Sequence, residues 1–174
     1  ELFKKHNKII EKIDDTDELI KQMEKDYNES LKDPVKINLF KDKWKAVSVI
    51  INDEDNTKLN ESNKKFSTSN IWMVKINTTI RILLGRNVYS NLAAFLADNN
   101  RAIKENLSGL FETQDSNELY VIKNPLLENK TNQITIINKG ILGVPNPKNN
   151  IQNKKDEKEL NKTETKENNI DKAI

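Results

Sequence analysis

Residues 71–85 read IWMVKINTTIRILLG, and the class of the whole fold turns on whether that stretch coils or extends. Its apolar positions Ile71, Trp72, Met73, Ile76, Ile80, Leu83 and Leu84 suit a helix, which Gly85 would end in a left-handed conformation. β-Branched residues crowd Ile71–Ile76, so a strand there stands as the alternative. The helix is the leading expectation. Val88, Leu92, Phe95, Leu96, Asn99, Ile103, Leu107, Leu110 and Phe111 keep helical spacing behind a capping Asn87, with a bend expected near residues 98–100. Upstream, Val35, Leu39, Phe40, Trp44, Val47, Ile50 and Ile51 recur at three and four, and Asp33-Pro34 supplies an N-cap followed by proline at the first helical position.

Segments 34–51, 70–84 and 87–111 are therefore expected to pack as one helical core. It would bury Trp72, Ile76, Ile80, Leu83, Leu92, Phe95, Leu96 and Ile103. Residues 52–69 are nearly devoid of apolar side chains and read as a long solvated loop.

Ahead of this core, Leu2, His6, Ile9, Ile13, Thr16, Ile20, Met23, Tyr27 and Ser30 alternate four and three apart, the seam of a coiled coil or helical hairpin. Residues 1–33 form a helical arm, either one helix or two joined near residues 14–15. Behind the core the character changes. Leu119-Tyr120-Val121-Ile122 and Ile134-Thr135-Ile136-Ile137 are short β-rich runs, with turn residues at Asn124-Pro125 and Asn129-Lys130-Thr131-Asn132. Residues 119–123 and 133–137 are expected to pair antiparallel within a hairpin region 112–147, as a hairpin or as a three-stranded meander with 141–144. Residues 148–174 hold no aromatic residue and read as a disordered charged tail. The expected fold is mainly α, a helical bundle with a small C-terminal β-hairpin or meander.

Composition narrows the chemistry. The 174 residues include no Cys, one His and four Gly. A disulfide framework, a thiolate zinc site and a histidine metal cluster are excluded. The few glycines build no phosphate-binding loop: Gly140 and Gly143 follow a β-rich run with no helix after them. His6 has no Gly-x-Ser-x-Gly partner, since Ser108-Gly109 lacks the first glycine. In Asp53-Glu54-Asp55-Asn56 a calcium loop would need Gly and Glu where Lys58 and Lys64 stand. The carboxylates around residues 14–18 suit a helix start. No cofactor, metal or catalytic group is expected, and a non-enzymatic role follows.

The net charge is +2, and mean hydropathy is −0.78. The segment balances run −3, +2, +3, −1 and +1 along the chain, so no single-sign field steers it onto nucleic acid. The pervasive Lys, Asn, Ile and Glu carry the imprint of an AT-rich coding genome. The six Asn-x-Ser/Thr sequons, at Asn28, Asn60, Asn77, Asn106, Asn129 and Asn161, belong to that same bias. No stretch is apolar enough for a transmembrane helix, and the first residues lack the core of a signal peptide.

Seven residues stand out as candidate partner contacts. Lys36, Phe40, Lys41 and Trp44 interleave cations and rings within 36–45, where bases could stack or the rings could simply face the core. Arg81, Arg86 and Arg101 fall among the most apolar residues, at helix ends, beside acids or at an interface. The leading expectation is a structural or adaptor subunit of a larger assembly such as a virion or bacterial complex. Its partners would be other protein chains, as a homo- or hetero-oligomer, in the cytoplasm or an assembled particle. A nucleic-acid-binding accessory protein using the 36–45 helix stands second, and a helical surface adhesin whose leader has been removed stands third.

Overall fold

The computed structural model describes the backbone of residues 2–146 and the side chains of residues 15–146. Its elements run α1 (Leu2–Lys32), α2 (Val35–Trp44), β1 (Val47–Ile51), β2 (Lys58–Glu61), a single 3₁₀ turn (Phe66–Thr68), β3 (Ile71–Ile76), β4 (Thr79–Leu84), α3 (Arg86–Ser90), α4 (Leu92–Leu107), β5 (Phe111–Ser116), β6 (Tyr120–Lys123), β7 (Leu126–Lys130), β8 (Gln133–Asn138) and β9 (Gly140–Pro145). The molecule is β-rich, which overturns the helical bundle and the coiled coil. Six strands in the order β4-β3-β1-β2-β8-β7 curl into a nearly closed, barrel-like sheet, and β5-β9-β6 form a second sheet.

Residues 71–84 are a hairpin, not a helix. β3 and β4 pair in continuous antiparallel register from Ile71↔Leu84 to Ile76↔Thr79, and Asn77 takes the left-handed conformation in the two-residue turn. The stretch imitates a helix because both of its faces are covered. Ile71, Ile82 and Leu84 point into the core shared with α3, α4 and the second sheet. Trp72, Val74, Ile76 and Leu83 point the other way, into a second core closed by α1 and α2. Burial on two sides erases the alternation by which a one-sided strand is recognised.

The other expected helices are shortened for similar reasons. α2 stops at Trp44 because Lys45 turns left-handed (φ 50°), and the β-branched run that follows becomes β1. Asp33 does cap this helix, its Oδ1 accepting the Val35 N–H at 3.0 Å. Gly85 is not left-handed: at φ −64° and ψ 151° it opens α3. α4 is interrupted over residues 97–100, where Asp98, Asn99 and Asn100 are all left-handed, so the expected bend is present. The supposed loop 52–69 contributes β2 to the middle of the sheet.

The strands at 120–123 and 133–138 exist with other partners than expected. β6 pairs with β9, whereas β8 lies between β7 and β2. Thr131 and Asn132, both at positive φ, make the tight β7–β8 turn. Of the expected core, Trp72, Ile76, Leu83, Phe95 and Ile103 are buried, and Ile80, Leu92 and Leu96 are half-buried. α1 is one continuous helix. Its seam positions Leu2, His6, Ile9 and Ile13, and the tail 148–174, lie outside the described side chains. Among the described residues no helix is long and apolar enough to cross a membrane.

Candidate functional site

α2 lies against α1 and divides the ring-and-cation motif between inside and outside. Phe40 is 2% exposed and joins Tyr27, Phe66 and Trp72 in one aromatic cluster, with the Phe40 and Trp72 rings stacked at 5.9 Å. Trp72 Nε1 donates to the Phe66 carbonyl at 3.0 Å, so the buried indole is satisfied. Trp44 is half-buried and donates from Nε1 to Asp26 Oδ2 at 2.9 Å. Lys43 reaches the same oxygen at 2.6 Å, and Gln22 donates to Asp26 Oδ1. Partial burial works against the Asp26 charge, but these donors and the Lys43 cation outweigh it and hold the carboxyl below the usual range. Lys36 pairs with Glu29 at 3.4 Å, and Lys41 stands over the Phe66 ring. Outside this network, Val35 and Leu39 sit one turn apart on α2 at 76% and 64% exposure. Leu39, Phe40, Lys36 and Lys43 line a groove of about 200 Å³ with Asp26 and Glu29 of α1.

The three arginines part company. Arg86 Nε donates to the Leu31 carbonyl at 3.2 Å, catching the last turn of α1. Arg101 bridges Glu105 one turn on, an exposed pair. Arg81 Nε is buried without a hydrogen-bond partner among the described residues. Leaving a donor so placed costs about 1–3 kcal/mol. The structure does not bring these three side chains together, nor does it join them to the α2 residues.

Arg81 stands at the seam of the barrel, where the outermost strands β4 and β7 fail to meet. In a two-residue hairpin the closing pair Ile76↔Thr79 exchanges hydrogen bonds, so the backbone groups of Ile80, Ile82 and Leu84 face away from β3. Two side chains occupy that outer edge. Asn124 Oδ1 accepts the Ile82 N–H at 2.8 Å, and Tyr27 donates to the Leu84 carbonyl at 2.7 Å. Beyond Asn124 a cleft of about 500 Å³ opens between Thr78, Thr79, Ile80 and Arg81 on one wall and residues 123–127 on the other, with Asn138 and Lys139 at its end. Arg81, Lys123 and Lys139 line it, and among the described residues no carboxylate does.

A second cleft, of about 410 Å³, is bordered by the end of β1, the 52–56 loop and the end of α4. Its charges are mixed, Asp53 and Glu105 against Lys64 and Lys139. The acidic run at 53–55 folds into local turns there: Asn52 Oδ1 accepts the Glu54 and Asp55 N–H groups, and Asp55 accepts from Thr57. Among the described residues no three metal-ligating side chains come together. Sequence reasoning named Arg81 but missed Lys123, Lys139 and Asn124. They lie 42 to 58 residues from Arg81, and only the strand order brings them to one place.

No family model, curated protein or solved structure matches this chain.

Proposed function

We propose that this chain is a non-enzymatic adaptor subunit that joins other protein chains through the outer face of its α1–α2 pair. One observation carries the reading: Val35 and Leu39 present two large apolar side chains to solvent beside an apolar-floored groove. Removing such side chains from water stabilises by about 1.5–3 kcal/mol each when burial is complete. The flanking Glu29 and Lys36, and Asp26 with Lys43, give a charged rim of both signs, the pattern of a protein-facing patch. The nucleic-acid reading loses ground on Phe40, the ring it needs for stacking, which lies inside the aromatic cluster.

A photo-crosslinking residue placed at Leu39, with one at exposed Asn60 as the control, tests this in the cells that make the protein. A discrete adduct at position 39 that Val35→Asp abolishes supports the reading, whether the partner is another protein or a second copy. Indistinguishable patterns at 39 and 60 overturn it.

A further inference from the structure

We propose that the cleft at the seam between β4 and β7 binds a small polyanion, a molecule bearing two or more phosphate or carboxylate groups. The barrel's strand order leaves β4 and β7 unpaired with each other, and the gap between them is a cavity within the ordinary size range of ligand sites. Its lining is biased to one chemistry. Three cations, Arg81, Lys123 and Lys139, come from three separate parts of the chain, and among the described residues no acidic side chain lines the cavity to neutralise them.

The arginine is the discriminating residue. Arg86 and Arg101 both use their Nε protons on protein acceptors, whereas Arg81 Nε has no hydrogen-bond partner among the described residues. Arg81 lines the cavity, and a guanidinium there suits a planar or tetrahedral oxyanion, which can accept two parallel N–H bonds. Thr78 and Thr79 add hydroxyls to the same wall. Asn124 contributes a donor because its oxygen is committed to the Ile82 amide, which leaves the Nδ2 protons as the open end of its carboxamide. Lys123 and Lys139 are exposed and make no ion pair among the described residues, and Lys139 also borders the second cleft with Asp53 and Glu105. Ile80, Pro125, Leu126 and Leu127 give the remaining wall an apolar side, which suits an organic anion.

Calorimetric titration of the full chain with pyrophosphate and, separately, with citrate tests this at constant ionic strength. Saturable binding of either is expected, and the stronger arm identifies phosphate or carboxylate as the preferred group. Arg81→Gln and the double variant Lys123→Gln/Lys139→Gln should each weaken it at least tenfold, while Lys104→Gln, outside the cleft on α4, leaves it unchanged. The double variant alters exposed side chains and keeps the test valid if Arg81→Gln fails to fold. Absence of saturable binding by both probes overturns the proposal. So does an equal loss in Lys104→Gln, which would mark unspecific charge attraction.

Discussion

The carboxamide of Asn124 stands in for a neighbouring strand: its Oδ1 accepts the Ile82 N–H at 2.8 Å across the one gap in the six-stranded sheet. An unpaired strand edge is a template for unwanted pairing, and proteins cover such edges with side chains or loops. Here Asn124 and Tyr27 cover β4 at alternate residues, Ile82 and Leu84.

Asn124→Ala should therefore destabilise the fold by about 1–3 kcal/mol, the cost of a lost partner for a part-buried donor. Amide exchange at Ile82 should quicken, while exchange at Arg81, which faces β3, changes less. Urea titration and hydrogen exchange read the two effects, and an unchanged Ile82 amide would remove Asn124 from this role.

The acidic limb of stability should depend on Asp26. Its folded carboxyl titrates below the unfolded value of about 3.9, so its contribution is fully present above that pH and is lost as pH falls through the folded value. Asp26→Asn should flatten the decline of the urea midpoint below about pH 4. Parallel curves for the two proteins would mean that the Lys43 and Trp44 contacts contribute nothing to the linkage.

At the alkaline end the relevant group is Tyr27. Burial first, and then the neighbouring Tyr89, push its phenol well above the ordinary value. A raised value means the folded state holds the proton more tightly. The contribution is intact below about pH 10 and lost as pH rises through the folded value. Tyr27→Phe should flatten the loss of stability above about pH 10, leaving the smaller part that Tyr89, also raised by burial, supplies. Thermal melts across pH 8–11 measure it.

Gly85→Ala should destabilise by about 1–3 kcal/mol or more even though its φ is ordinary, because the strain is one of crowding. An added Cβ would run into the Ser69 carbonyl oxygen and meet the Trp72 indole at 3.1 Å. The glycine is needed where the start of α3 passes the backbone ahead of β3. Wild-type stability in the alanine variant would contradict that close approach.

Trp72→Ala should be among the most damaging single changes, about 3–5 kcal/mol, since the ring is fully buried and touches Tyr27, Phe40 and Phe66. The loss should appear in denaturant titration as a lower midpoint with α1 and α2 released together, because both pack on that ring.

Local chemistry was legible in the sequence wherever it was sufficient by itself. The Asp33-Pro34 cap, the helix that precedes it, the bend near 98–100 and the β-rich runs at 119–122 and 134–137 all follow from short-range propensity. What tertiary structure alone decided was which surfaces are covered. Trp72 and Ile71 are adjacent yet enter different cores, and covering both faces turned a strand pair into a run that counts like a helix. Strand partners were equally out of reach, because β8 chooses β2 across more than 70 residues and β6 chooses β9, pairings made by barrel closure and a common core. Arg81 could be picked out as a cation among apolar residues, but its cleft exists only because β4 and β7 end the sheet side by side without joining.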